Sequence, residues 1–215
     1  MKDGYIKVAS ATPSLKVADT LYNTNACIDM ACRASDAGVK VLVFPQLALT
    51  GYSCGDLFFS ETLLSAALNS LRDYMYSTSA YDLISIIGLP IKCNDKIYNC
   101  AAVVSGGQLL GIVPKTHIPE NEKRVFEAAP IDNFAYVFED SVVMFGVKQM
   151  FVCREMPMLK IGIEIGEDVE VASPPSNLLT SGGATVIANL SAYGEIIGKE
   201  EFICDVIKVQ SARTL

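Results

Sequence analysis

The sequence predicts an α/β fold, and three features carry that reading. The chain opens strand–helix–strand between residues 5 and 44, the pattern of a sheet covered by helices. Turn-forming pairs at Asn94-Asp95 and Gly106-Gly107 then separate apolar runs, as in antiparallel hairpins. Apolar strands and helical patterns alternate again towards the C-terminus. Read from pattern alone, this is a mixed sheet with helices on one face. No low-complexity linker, internal repeat or change of composition divides residues 1–215, so one domain is expected.

The elements follow in order. Tyr5 to Ser10 alternates as a first strand. Pro13 and Ser14 are suited to start a helix that ends at Gly38, with Leu21, Ile28 and Cys32 on one face. Val39 to Phe44 is a run of aliphatic and β-branched residues, read as a buried strand. Leu64, Leu68, Leu71 and Met75 recur at helical spacing, and Leu83 to Leu89 is a strand closed by Pro90. Ile97 to Val104 and Leu109 to Val113 are hairpin strands, and residues 134–152 hold more, broken at Glu139-Asp140. Leu159 to Ile165 alternates and stops at Gly166, Pro174-Pro175-Ser176 opens a short helix, and Ala184 to Leu190 is a strand. A last helix carries Ile203, Val206, Ile207 and Gln210.

Composition excludes several classes of function. Net charge is −7, which disfavours nonspecific binding to nucleic acid or an anionic membrane. No uninterrupted apolar segment reaches the length of a membrane span, and Met1-Lys2-Asp3-Gly4 leads into a strand without a secretory pattern. Seven cysteines without a C-x-x-C pair fit reduced, mostly buried thiols, so a cytoplasmic location is expected. His117 is the only histidine, which leaves a zinc site without its usual ligands. The 51% hydrophobic fraction is high for a lone soluble domain and points to self-association, a homo-oligomer, or to a large core.

The stretch Phe44-Pro45-Gln46-Leu47-Ala48-Leu49-Thr50-Gly51-Tyr52-Ser53-Cys54-Gly55-Asp56-Leu57-Phe58 organises the rest. It places a polar side chain, Gln46, just past the C-terminal end of a buried strand, where α/β proteins locate chemistry. An ordinary strand-to-helix loop is the plainer reading of the local pattern. The full run resembles a segment of the glutamine-hydrolysing domain of glutamine-dependent NAD synthetases, in the nitrilase (carbon–nitrogen hydrolase) superfamily. Three further segments share the resemblance: Val113-Pro114-Lys115-Thr116-His117-Ile118-Pro119, the run from Gly162 to Ser176, and the run from Asn189 to Arg213. The resemblance as a whole covers nearly all of residues 5–213. The resemblance implies an α-β-β-α sandwich, C-terminally truncated relative to the parent domain and without its ATP-binding synthetase domain.

The resemblance also assigns positions. Nitrilase-type hydrolysis needs a nucleophilic thiolate, a carboxylate base and an ammonium that stabilises the developing oxyanion. The base falls at Gln46, whose carboxamide cannot take a proton near neutral pH. The oxyanion-stabilising lysine falls at Lys115, which is otherwise a surface lysine after a strand. The nucleophile falls at Gly166, which has no side chain. A supporting glutamate falls at Glu122 if a gap of about four residues is placed after Pro119; a charged loop turn is the other reading. Cys54 and Cys153 are the thiols considered as substitutes, and buried inert thiols are the usual case.

The expectation is therefore a hydrolase-like domain that is inactive as written, with a structural or regulatory role through self-association or an active paralogue or synthetase. An amidase or glutaminase using displaced residues, and a module binding a small amide, are the alternatives. No metal is expected, and no cofactor either, since the run Gly106-Gly107-Gln108-Leu109-Leu110-Gly111 between hairpin strands is a turn and not a phosphate cradle.

Overall fold

The computed structural model describes residues 4–194 and 196–214. Strands β1 (Val8–Ser10), β2 (Val41–Val43), β3 (Ile84–Cys93), β4 (Lys96–Ser105), β5 (Gln108–Pro114), β6 (Phe134–Phe138) and β7 (Ser141–Phe145) form one sheet in the order β1-β2-β3-β4-β5-β7-β6. Strands β8 (Phe151–Val152), β9 (Lys160–Ile165) and β10 (Val186–Leu190) form a second sheet, with β9 in the centre. Helices α1 (Thr20–Asp36) and α2 (Glu61–Ser77) cover the outer face of the first sheet. Helices α3 (Pro175–Ser181) and α4 (Lys199–Arg213) belong to the outer side of the second. The result is a four-layer α-β-β-α sandwich, in place of the single mixed sheet read from pattern alone.

Strand alternation explains the layers. In the first sheet Leu42, Ile87, Leu89, Tyr98, Cys100 and Ala102 face the helices, where Cys27, Ala31, Leu71 and Tyr74 meet them. Val41, Ile86, Ala101, Val103 and Val113 face the other way and pack against Ile161, Ile163, Ile165, Ala188 and Leu190 of the second sheet. Each fully buried aliphatic side chain in this inter-sheet layer is worth about 1.5–3 kcal/mol. The hairpins turn where expected: Asn94, Asp95, Gly106 and Gly107 all have positive φ, between 50° and 75°.

Several elements depart from the sequence reading. The first helix begins at Thr20, capped by the Asp19 carboxylate accepting from the Tyr22 N–H (3.1 Å), and not near Pro13. Its buried face is Asn23, Thr24, Cys27, Ala31 and Ala34, while Leu21 is 67% exposed. Asn23 is buried because its amide takes the Lys16 N–H and gives hydrogen bonds to the Lys16 and Leu49 carbonyls. Strand β3 continues through Pro90 to Cys93. The proline is tolerated because β2 pairs with β3 only at Ile84–Ile86, so no parallel neighbour needs an N–H there. Cysteine burial is mixed: Cys27, Cys54 and Cys100 are buried, Cys32, Cys93 and Cys153 partly so, and Cys204 is exposed. In α4 only Gln210 is buried, and Ile207 is half exposed. Among the described residues, no helix is long and apolar enough to cross a membrane.

Candidate functional site

Two tight turns, one from each sheet, meet at the end of β5. The first follows β2. After Val43 the chain stays hydrogen-bonded to β3, with Phe44 N–H donating to Ile86 O (2.9 Å) and Leu49 N–H to Gly88 O (3.1 Å). Between these bonds the backbone lies directly on Gly88, where a Cβ would stand 2.3 Å from Leu47 N and 2.4 Å from Pro45 O. Only glycine permits that approach. Leu47, buried and at φ 55°, takes the left-handed conformation that turns Gln46 inward.

The second turn follows β9. Gly166 has φ 54°, in the left-handed region that disfavours residues with a side chain. Its carbonyl accepts from Asn189 Nδ2 (3.0 Å). Two residues on, the buried Asp168 carboxylate accepts from the Ile165 N–H (3.1 Å) and from the N–H groups of Thr116 (3.1 Å) and His117 (2.5 Å). Asp168 thus ties the turn of the second sheet to the strand end of the first. Burial pushes its carboxyl up from 3.8 to about 6, against the opposing pull of those backbone N–H groups and of Lys115. Burial likewise raises Glu164, which lies before the turn and accepts from the Ser176 N–H (3.2 Å).

Lys115 stands between the turns and is completely buried. Its backbone N–H donates to Asn99 O (2.8 Å), extending the β4–β5 pairing by one residue. Its Nζ donates to Glu122 Oε1 (2.7 Å), Glu167 Oε2 (2.6 Å) and Gln46 Oε1 (3.4 Å), so all three ammonium hydrogens have acceptors. Asn99 Nδ2 also donates to Gln46 Oε1 (3.0 Å). Because Lys115 can only donate, the carbonyl oxygen of Gln46 faces it, and both ends of the Gln46 amide stand 3.2–3.3 Å from the Cβ position of Gly166. Tyr52 donates to Glu122 Oε1 (2.9 Å), and burial together with that carboxylate pushes the phenol up to about 12.

The residues singled out in sequence therefore converge. An ideal Cβ at Gly166 would lie 3.2 Å from Gln46 Nε2 and 3.2 Å from Lys115 Nζ. Glu122 lies in the turn after Pro119, and from there its buried carboxylate reaches the Lys115 ammonium in the same cluster. His117 contributes its backbone N–H to Asp168. Cys54 donates its thiol to the Thr50 carbonyl (3.2 Å) within a cluster around Leu47 and Phe58, and burial raises it. Cys153 packs, half-buried, beside the inter-sheet core. Neither thiol is among the partners of Lys115 or Gln46.

Comparison with known proteins places this geometry. The family model described as carbon-nitrogen hydrolase matches residues 7–201. The chain belongs to the carbon–nitrogen hydrolase family. Within it, the chain is 32% identical over 99% of its length to a glutamine-dependent NAD(+) synthetase of Mycobacterium tuberculosis, of which it covers 32%. It is 29% identical to the Thermotoga maritima synthetase, covering 34% of that protein. It spans about a third of the length of the curated relatives it matches. Among solved structures, a glutamine-dependent NAD(+) synthetase from Cytophaga hutchinsonii superposes with a TM-score of 0.85 at 26% identity, over 97% of this chain and 34% of that one. An amidase from Nesterenkonia sp. matches at 0.76 over 100% of this chain and 74% of its own, and at 16% identity shows a shared fold.

Within this hydrolase frame, sequence reasoning missed Asn99, Tyr52, Asn189 and Gly88. Asn99 carried a usable signal, a carboxamide inside the apolar run Ile97 to Val104. Gly88 carried one too, a glycine in a strand interior, which marks close approach of another backbone. Tyr52 lies within the motif but has no role there until Glu122 is brought beside it.

Proposed function

We propose that this carbon–nitrogen hydrolase domain, akin to the ammonia-supplying glutaminase domain of NAD synthetases, does not hydrolyse amides as written. Its role is then structural or regulatory, through self-association or by partnering an active relative. The observation that carries this reading is the Gly166 position. The position whose Cβ would stand 3.2 Å from both Gln46 Nε2 and Lys115 Nζ bears no side chain, so no thiol stands beside the ammonium there. Gln46 supplies hydrogen bonds and no base. General-base catalysis is typically worth a factor of about 10² to 10⁴, and loss of the nucleophile adds to that. Burial raises the Cys54 thiol, and a raised thiol is a poor nucleophile near neutral pH, which supports the same reading.

The test is ammonia release from glutamine by the chain as written and by Gln46→Glu combined with Gly166→Cys. Silence from the first and release from the second is the expected pair. Ammonia from the unaltered chain, abolished by a thiol-alkylating reagent, would instead establish a displaced cysteine. Self-association draws support from exposed apolar side chains on α4 and the adjoining loop, notably Ile197, Phe202 and Val209. Light scattering coupled to size exclusion checks it; a strictly monomeric mass at micromolar concentration counts against it.

A further inference from the structure

We infer that a cavity on the outer side of the second sheet is a binding site for a small aliphatic ammonium. The cavity has a volume of about 660 Å³ and lies between α3, α4 and the outward face of β9 and β10. That volume is in the range of small-molecule sites. Glu164 and Ile187 line it, and they leave their strands on the face opposite to Ile163, Ile165 and Ala188, which pack between the sheets. The second sheet therefore separates the cavity from the inter-sheet layer. The site is independent of whether the chain hydrolyses amides.

The polar wall offers acceptors. The hydroxyl hydrogens of Thr180, Thr185 and Thr214 are committed to the carbonyls of Ser176 (2.7 Å), Met158 (2.7 Å) and Gln210 (2.9 Å). Both amide hydrogens of Gln210 are committed as well, to Ser176 Oγ (3.0 Å) and Asn177 Oδ1 (2.7 Å). What these four side chains keep for an occupant is oxygen lone pairs. A ligand that brings carboxylate or phosphate oxygens would set acceptor against acceptor. One that brings N–H groups finds partners.

Glu164 decides the charge. Its side chain is buried, 2% exposed, and it accepts from the Ser176 N–H (3.2 Å). Burial raises its carboxyl, and the groups that draw it down, Ser176 and Asn189, are neutral. Among the described residues no lysine or arginine lines the cavity, so the carboxylate has no counter-ion there. An ammonium would supply one, and a charge paired away from water interacts more strongly than one at the surface. A bare metal ion calls for six or so oxygen ligands with several carboxylates among them, and Glu164 is the single carboxylate of this wall. Val169, Ala184, Ile187 and Ile207 supply apolar surface, which suits a hydrocarbon tail on the cation.

Calorimetric titration of the chain with n-butylammonium chloride, 1-butanol, sodium butyrate and potassium chloride tests this. Saturable binding of butylammonium, with the other three silent, is the expected result. Glu164→Gln keeps the shape and removes the charge, and should weaken butylammonium about tenfold or more. If that variant fails to fold, Ile207→Trp serves in its place. Position 207 is half exposed on α4, so the larger ring can fill the cavity from its rim, abolishing binding with thermal unfolding unchanged. No saturable butylammonium binding, equal binding of butanol or butyrate, or an affinity that neither variant lowers would overturn the inference.

Discussion

The turns at Gln46 and Gly166 reach the same ammonium from different sheets, and they are held by different physics. The first is fixed by contact: the Pro45–Leu47 backbone lies on β3 at a place where only a glycine fits. The second is fixed by acceptors, with Asp168 collecting N–H groups from Ile165, Thr116 and His117 and Asn189 holding the Gly166 carbonyl. The contrast teaches that the first turn should be sensitive to size and indifferent to pH, and the second the reverse. Lys115 belongs to both.

The largest effect should come from removing what the turns share. Lys115→Met leaves the buried Glu122 carboxylate and the Glu167 carboxylate without their cation, at a cost of about 3–5 kcal/mol by denaturant unfolding. Equal stability of this variant and the original would show that the turns do not depend on the ammonium. Next is Gly88→Ala, which drives a methyl into backbone at 2.3 Å and should cost about 2–3 kcal/mol, by the same amount at pH 5 and pH 7.

Asp168→Asn probes the second turn. The Asp168 carboxyl holds its proton more tightly in the folded chain (about 6) than unfolded (3.8). The folded state therefore binds the extra proton between those values, and stability falls as pH rises through that window, then levels off above it. Relative to Asp168→Asn, which does not titrate, the original should lose on the order of 2 kcal/mol between pH 4 and 6.5. Parallel stability profiles for the two proteins would remove the burial argument for this carboxylate. The smallest effect is expected for Gly166→Ala, where the left-handed backbone costs a side chain about 1–2 kcal/mol. The new methyl would meet the flexible ends of Gln46 and Lys115 at 3.2–3.3 Å and not backbone.

The sequence made part of this visible. Strand positions followed from apolar runs, and the hairpin turns followed from Asn94-Asp95 and Gly106-Gly107, because local chemistry dictates both. The face of α1 did not follow, because it is built from Asn23, Thr24 and alanines while Leu21 points outward. Counting apolar residues cannot find a face whose central member, Asn23, is buried to serve the backbone of Lys16 and Leu49. The two-sheet division was equally hidden in the pattern, since β5 pairs in parallel with β7 while β8 leaves for the other sheet. That Gln46, Lys115, Glu122 and Gly166 form one cluster came from the family resemblance, not from spacing. Nothing local to position 167 announced that its carboxylate would turn inward to Lys115.

The hairpin β3–β4–β5 also sets an order of events. Its contacts join residues 84–114 through two short turns and close only small loops. The pairing of β9 with β10 needs a crossover through α3, and the approach of Gly166 to Gln46 spans about half the chain. Loop closure favours near neighbours, so the hairpin is the natural early structure and the docking of the second sheet a late one. Asp168 completes its backbone bonds only at that docking. The Lys115 cluster is in this sense the last part of the molecule to exist.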